Sequence, residues 1–102
     1  MMTSVDADLI RVLADPLRLH IVTLLAKETL CTPHLVEETG ARQTNLSHHM
    51  KVLREAGVVE TEPCGRCTYD KIRPDVIASL AGHFADLAES ARSAAENKRA
   101  CP

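Results

Sequence analysis

Apolar positions along the chain follow two different spacings. Between residues 5 and 14, Leu9, Ile10, Val12 and Leu13 keep a short helical pattern. Asp15-Pro16 then reads as a helix cap and first helical residue, since proline lacks only an N–H that would be unpaired there. Leu17, Ile21, Leu24 and Leu25 carry a buried stripe to about Lys27. Thr32-Pro33 repeats the cap signal and opens a short helix, with Leu35 and Val36 inward and Gly40 at its end. From near Gln43, Leu46, Met50 and Leu53 recur at i, i+4 and i+7 until Gly57. Two helices of about eight and twelve residues around a glycine-containing turn make a helix-turn-helix.

After Gly57 the pattern changes. Val58–Glu62 and Cys67–Ile72 read as strands flanking the turn signal Pro63-Cys64-Gly65-Arg66, a hairpin directly after the second helix of the pair. Pro74 opens a last helix with Val76, Ile77, Leu80, Phe84, Leu87 and Ala91 on one stripe, and from about Asn97 the chain is polar. These elements predict a mainly α fold with a β-hairpin wing, a winged helix-turn-helix of about five helices and two main strands. It occupies residues 1–97 as one domain, with a flexible tail over 98–102.

Composition narrows the picture. The chain has 102 residues, and Tyr69 and Phe84 are its only aromatics, so Leu, Val, Ile and Ala must build the core. A chain this short gains from a partner subunit that covers apolar surface. No apolar run approaches the roughly 20 residues that span a bilayer. The N-terminal stretch MMTSVDADLI has no signal-peptide core, so a cytoplasmic protein is expected. Thiols stay reduced in that compartment, which favours metal or redox chemistry over a disulfide framework for Cys31, Cys64, Cys67 and Cys101.

The net charge of −2 does not announce a nucleic-acid partner, but its distribution does more. Residues 1–40 carry three Lys/Arg against six Asp/Glu, residues 41–73 six against four, and residues 74–102 three against four. The cationic third coincides with the second helix of the pair and the hairpin. A helix presented to the major groove needs short polar side chains near its N-terminus. Gln43, Thr44, Asn45, Ser47 and His48 supply them; Gln and Asn pair bidentately with adenine. Arg42, Lys51 and Arg54 suit phosphates, and Arg66 at the hairpin tip suits backbone or minor groove. His49 lies near the inner face beside Met50, which favours a structural hydrogen bond.

The stretches DPLRLHIVTLL (15–25), LCTPHLVEETG (30–40), QTNLSHHMKVLREAGVV (43–59) and YDKIRP (69–74) resemble the ArsR/SmtB family of bacterial metal-sensing repressors. The family's Ser-x-His-Leu signature appears as Ser47-His48-His49-Met50, and Arg42 replaces the capping serine common before the glutamine. The resemblance implies a homodimer held by the first and last helices, bound to double-stranded operator DNA. The last-helix stripe supports that dimer independently and nominates Ile77, Leu80, Phe84 and Leu87 for the interface.

Cys64-Gly65-Arg66-Cys67 sets two thiols across a tight turn, where both sulfurs can face one ion. Thiolates select soft ions such as Zn(II), Cu(I), Cd(II), As(III) or Sb(III). In the arsenical repressors that the chain resembles, two thiols of a Leu-Cys-x-Cys-Asp segment bind As(III). Here Leu30-Cys31-Thr32-Pro33-His34 keeps only the first of them. Val52 and Ala56 stand where the cadmium/lead branch has cysteines, and Arg73, Asp75 and Asp86 fall near the zinc branch's ligands. A metal site is therefore expected from Cys64 and Cys67 with a third ligand, ranked as Cys31 ahead of Cys101. Cys31 should pair near the wing base, about 10 Å short of the tip at about 3.4 Å per residue.

The expected function is a repressor that leaves its operator when a thiophilic metal(loid), As(III) or Sb(III) first, binds these thiolates; no obligatory cofactor is implied. A rival within the same class is a redox sensor that closes a Cys64–Cys67 disulfide. A thiol oxidoreductase is disfavoured because its C-x-x-C opens a helix in a βαβ unit, whereas this one sits in a hairpin turn. A protein–protein adaptor is disfavoured by the polar, basic second helix of the pair.

Overall fold

A computed structural model describes residues 4–102, with side chains described from residue 7. Residues 1–3, part of the N-terminal stretch considered above and of the expected domain, lie outside the described residues. In chain order the elements are α1 (Ser4–Leu13), α2 (Pro16–Leu25), β1 (Leu30–Cys31), α3 (Thr32–Thr39), α4 (Gln43–Glu55), β2 (Val59–Cys64), β3 (Cys67–Ile72) and α5 (Pro74–Ala94). Among the described residues, five helices and a hairpin wing match the expected architecture. A short third strand joins it: the sheet order is β1-β3-β2, antiparallel throughout.

Local chemistry sets the boundaries. Asp15 caps α2 by accepting the Arg18 backbone N–H at 3.0 Å, and Pro16 follows as expected. The start of α3 differs by one residue from expectation. Thr32 is already helical and Cys31 is the N-cap, because Cys31 is held extended by its pairing with Tyr69 in β3. At the end of α4, Gly57 takes a left-handed φ of 79°, a conformation that favours glycine. The Val58 N–H bonds the Leu53 carbonyl and the Gly57 N–H bonds that of Arg54, closing a Schellman-type end that turns the chain into β2. Arg73 N–H to Val58 O at 2.8 Å then ties the base of the hairpin.

Ile21, Leu35, Leu46, Met50, Leu53 and Val58 are fully buried, and with Leu9, Leu25, Leu30, Val59 and Leu80 they form one aliphatic core. Helix α5 enters this core only through its first turns. Val76, Ile77 and Leu80 pack on it, whereas from Ala81 to Ala94 every side chain but half-buried His83 is exposed. The helix projects from the body, and the chain measures 63 Å along its longest axis. An apolar groove of about 570 Å³ opens at its base, lined by Val22, Leu25, Ile72, Ile77 and Ala81. Among the described residues, no helix is long and apolar enough to cross a membrane.

Candidate nucleic-acid interface

Helix α4 is seated by Leu46, Met50 and Leu53, all fully buried. That seating fixes which face looks outward. Gln43, Thr44, Asn45, Ser47, His48 and Lys51 are all exposed, with the first five in the N-terminal turns, where short side chains reach base edges. Arg42 is exposed at the N-cap position, where an all-donor guanidinium cannot cap the helix N–H groups.

A second set of bonds holds α4 from behind. His49 Nδ1 lies 3.0 Å from Arg18 Nη1 and 3.9 Å from Asp15 Oδ2, and Arg18 Nε donates to the Val12 carbonyl. His49 thus has the hydrogen-bonding place its inner position predicts. Sequence reasoning missed Arg18; its only trace was a cation three residues into a capped helix. The backbone N–H of Arg18 is the first cause of a lowered Asp15 pKa, outweighing the desolvation that comes next and opposes it.

Arg54 is placed otherwise than the sequence suggested. Its Nε and Nη2 both donate to Asp70 Oδ1, at 3.2 and 3.0 Å. Asp70 is wholly buried in β3, and its burial raises its pKa even though Arg54 pulls the other way. The phosphate assignment did not foresee this contact: two of the five guanidinium N–H donors are committed to the protein, because a buried carboxylate needs a cation.

The hairpin turn is shorter than expected. Cys64 and Cys67 are direct cross-strand partners, leaving Gly65-Arg66 as a two-residue loop with Gly65 at φ 61°. Arg66 is exposed at the tip, between the two exposed cysteines.

The three-thiol set of Cys31, Cys64 and Cys67 is not assembled. Among the described residues, no three His, Cys, Asp or Glu side chains form a group able to hold a metal ion. Cys31 pairs with Tyr69, and Tyr69 stands two residues from Cys67 on the same face of β3, so Cys31 is diagonal to Cys67. Diagonal neighbours lie about 7–8 Å apart along the backbone, nearer than the 10 Å expected. Cys31 is also buried, its Sγ 3.1 Å from His34 Nδ1. Cys101 is exposed in a segment without regular structure.

The proposed interface residues of α5 divide. Leu80 is 8% exposed and serves the chain's own fold, so the expectation that it faces a partner is corrected on that ground; half-buried Ile77 packs on the same core and also lines the open groove. Phe84 and Leu87 are 47% and 52% exposed, and with Leu19 they are the large apolar side chains left open among the described residues.

Comparison with known proteins agrees with this geometry. Residues 15–61 match the model of the bacterial regulatory protein, arsR family. The HTH-type transcriptional repressor SmtB of Mycobacterium tuberculosis is 37% identical over 76 residues, which are 74% of this chain; the chain spans about half of that repressor's length. A solved structure described as a possible transcriptional regulator for arsenical resistance is 30% identical, with TM-score 0.71 over 90% of this chain and 98% of its own. The homodimeric winged helix-turn-helix DNA-binding domain Mb0332 of Mycobacterium bovis shares the fold at 23% identity and TM-score 0.70, covering 95% of this chain and 89% of that one.

Proposed function

Because the chain belongs to the ArsR family of bacterial regulatory proteins, DNA-binding regulators and not enzymes, we propose that it is a homodimeric repressor of a specific operator. One observation carries this reading: α4 exposes Gln43, Thr44, Asn45, Ser47 and His48 together while Leu46, Met50 and Leu53 lock its opposite face into the core. In this reading Gln43 and Asn45 read bases, and Arg42, Lys51 and Arg66 hold phosphates. The dimer rests on the projecting half of α5, where Phe84 and Leu87 have no cover in the subunit, and on the apolar groove at its base. The Mycobacterium bovis domain of the same fold is itself homodimeric.

The signal is a thiophilic metal(loid), As(III) or Sb(III) first, taken by Cys64 and Cys67 at the wing tip. The support is their direct cross-strand pairing, their exposure, and the solved relative described as a possible arsenical-resistance regulator. Cys31 does not reach the pair in this conformation, so the chain offers two thiolates and a further ligand must come from elsewhere. A ligand there sits beside Arg66, the cation this reading gives to DNA. A coupling of about 1–3 kcal/mol between the two sites would release the operator. The same pairing also favours a redox reading: partners in a hydrogen-bonded antiparallel pair stand about 5.5 Å apart at Cα, within the range a disulfide spans.

Fluorescence anisotropy on a selected operator, with arsenite added to reduced protein, tests both levels. Wild type should bind and then release. Cys64→Ser and Cys67→Ser should bind and stay bound, since serine is a harder ligand that thiophilic ions avoid. Release by peroxide, reversed by dithiothreitol and absent with arsenite, would replace the metalloid by oxidation. Undiminished arsenite release from the double variant would move the sensor off the wing.

A further inference from the structure

The Arg54–Asp70 ion pair joins the two parts of the proposed DNA-binding surface. Arg54 is near the last turn of α4, and Asp70 is in the central strand, opposite Leu30 on one side and Thr61 on the other. The Arg54 side chain is 36% exposed and that of Asp70 wholly buried. Both donated bonds converge on Oδ1, and among the described residues Oδ2 has no hydrogen-bond partner. Such an arrangement is a poor source of stability. A buried carboxylate loses hydration that a single cation only partly returns, and an apolar pair of similar volume does as well or better. What the charged pair supplies is direction: a planar guanidinium meeting one oxygen through two N–H groups fixes an angle as well as a distance.

We infer that Asp70 and Arg54 are positioning residues that set the angle of the wing to α4, so that Arg66 reaches the DNA backbone while α4 lies in the groove. The lever is long. Asp70 stands four residues from Arg66, about 14 Å at about 3.4 Å per residue. A swing of about ten degrees at the pair moves the tip by about 2 Å, more than a phosphate hydrogen bond tolerates. The inference rests on the DNA-binding reading given above. It differs from a purely structural pair because it acts through Arg66.

The test is a cycle of duplex-binding measurements at several salt concentrations, on wild type, Arg66→Ala, the double variant Arg54→Gln/Asp70→Asn, and all three changes together. Gln is shorter than Arg and lacks its fork, so the two amides stay polar but lose the two-pronged contact; if they do not fold, Arg54→Met/Asp70→Leu takes their place as an apolar pair. Loss of the pair should weaken binding to operator and random duplex alike, by about tenfold, as Arg66→Ala does. Adding the pair's loss to Arg66→Ala should change nothing more. Additive losses, with the salt slope falling by a further 0.9 or so per subunit, would make Arg54 a phosphate contact and overturn the inference. Wild-type binding in the double variant would reduce the pair to a structural role. A wild type that binds no duplex would overturn the DNA-binding reading along with it.

Discussion

Removing Phe84 tests the dimer where the subunit's own fold is least involved. The side chain is 47% exposed, and the helix around it makes no use of the ring in the subunit core. An aromatic residue offers roughly 200 Å², so about 95 Å² stays open in the monomer. Covered by a partner at about 25 cal/mol per Å², that surface contributes about 2.4 kcal/mol, and a symmetric interface counts it twice. Alanine keeps part of it, leaving a loss of about 3 kcal/mol, or roughly a 100-fold weaker dimer. Alanine is also the best helix former, so α5 should persist. Leu80→Asp would be a worse test, because a charge at that buried position unfolds the subunit whether or not a partner exists. Sedimentation velocity over a concentration series reads the dimer constant directly, and anisotropy reads operator binding alongside. A Phe84→Ala protein that dimerises within threefold of wild type would refute the interface on α5.

Three further outcomes follow from named contacts. Arg66→Ala should weaken operator and random DNA equally and lower the salt slope; a loss confined to the operator would mean that Arg66 reads bases. Arg18→Ala should cost about 2 kcal/mol in urea unfolding, because it severs charge-assisted bonds to the Val12 carbonyl and His49; a cost below about 0.5 kcal/mol would show that the network behind α4 is incidental. Asp70 has a folded pKa above its ordinary 3.8, so between 3.8 and the raised value the folded state holds more proton than the unfolded one, and stability from this group falls as pH rises through that window. Wild type should therefore lose stability relative to Asp70→Asn across that range, and a difference that is flat or grows with pH would contradict the burial argument.

Signals carried within a few residues were legible in the sequence. Proline and cap residues placed α2 and α5, and Leu46, Met50 and Leu53 alone oriented α4, which determines the exposed face. The change of period after Gly57 located the wing. What failed to show were pairings distant along the chain. Arg54 looked like any exposed cation on a basic helix, and its partner lies 16 residues on. One clue existed: Asp70 alternates with Ile72 on one face of β3, so a carboxylate on that face requires a cation. Leu80 belonged to an unbroken stripe, and periodicity does not say where a helix leaves its own core. The cap at Cys31 was hidden because Thr32 is the better capping residue by type, while strand pairing decided the backbone. Cys31 likewise seemed short of the wing tip by residue count along the strand; its diagonal place beside Cys67 depended on a register that spacing does not contain.

The central claim is that the exposed N-terminal turns of α4 read a DNA sequence. Selection of bound duplexes from a random library, with wild type and with Gln43→Ala/Asn45→Ala in parallel, tests it directly. Wild type should enrich an inverted repeat with half-site centres about 10–10.5 base pairs apart or a multiple of that, and the variant should lose the enrichment while still retaining duplex non-specifically. No enriched site for wild type, or the same site enriched equally by the variant, would contradict the account.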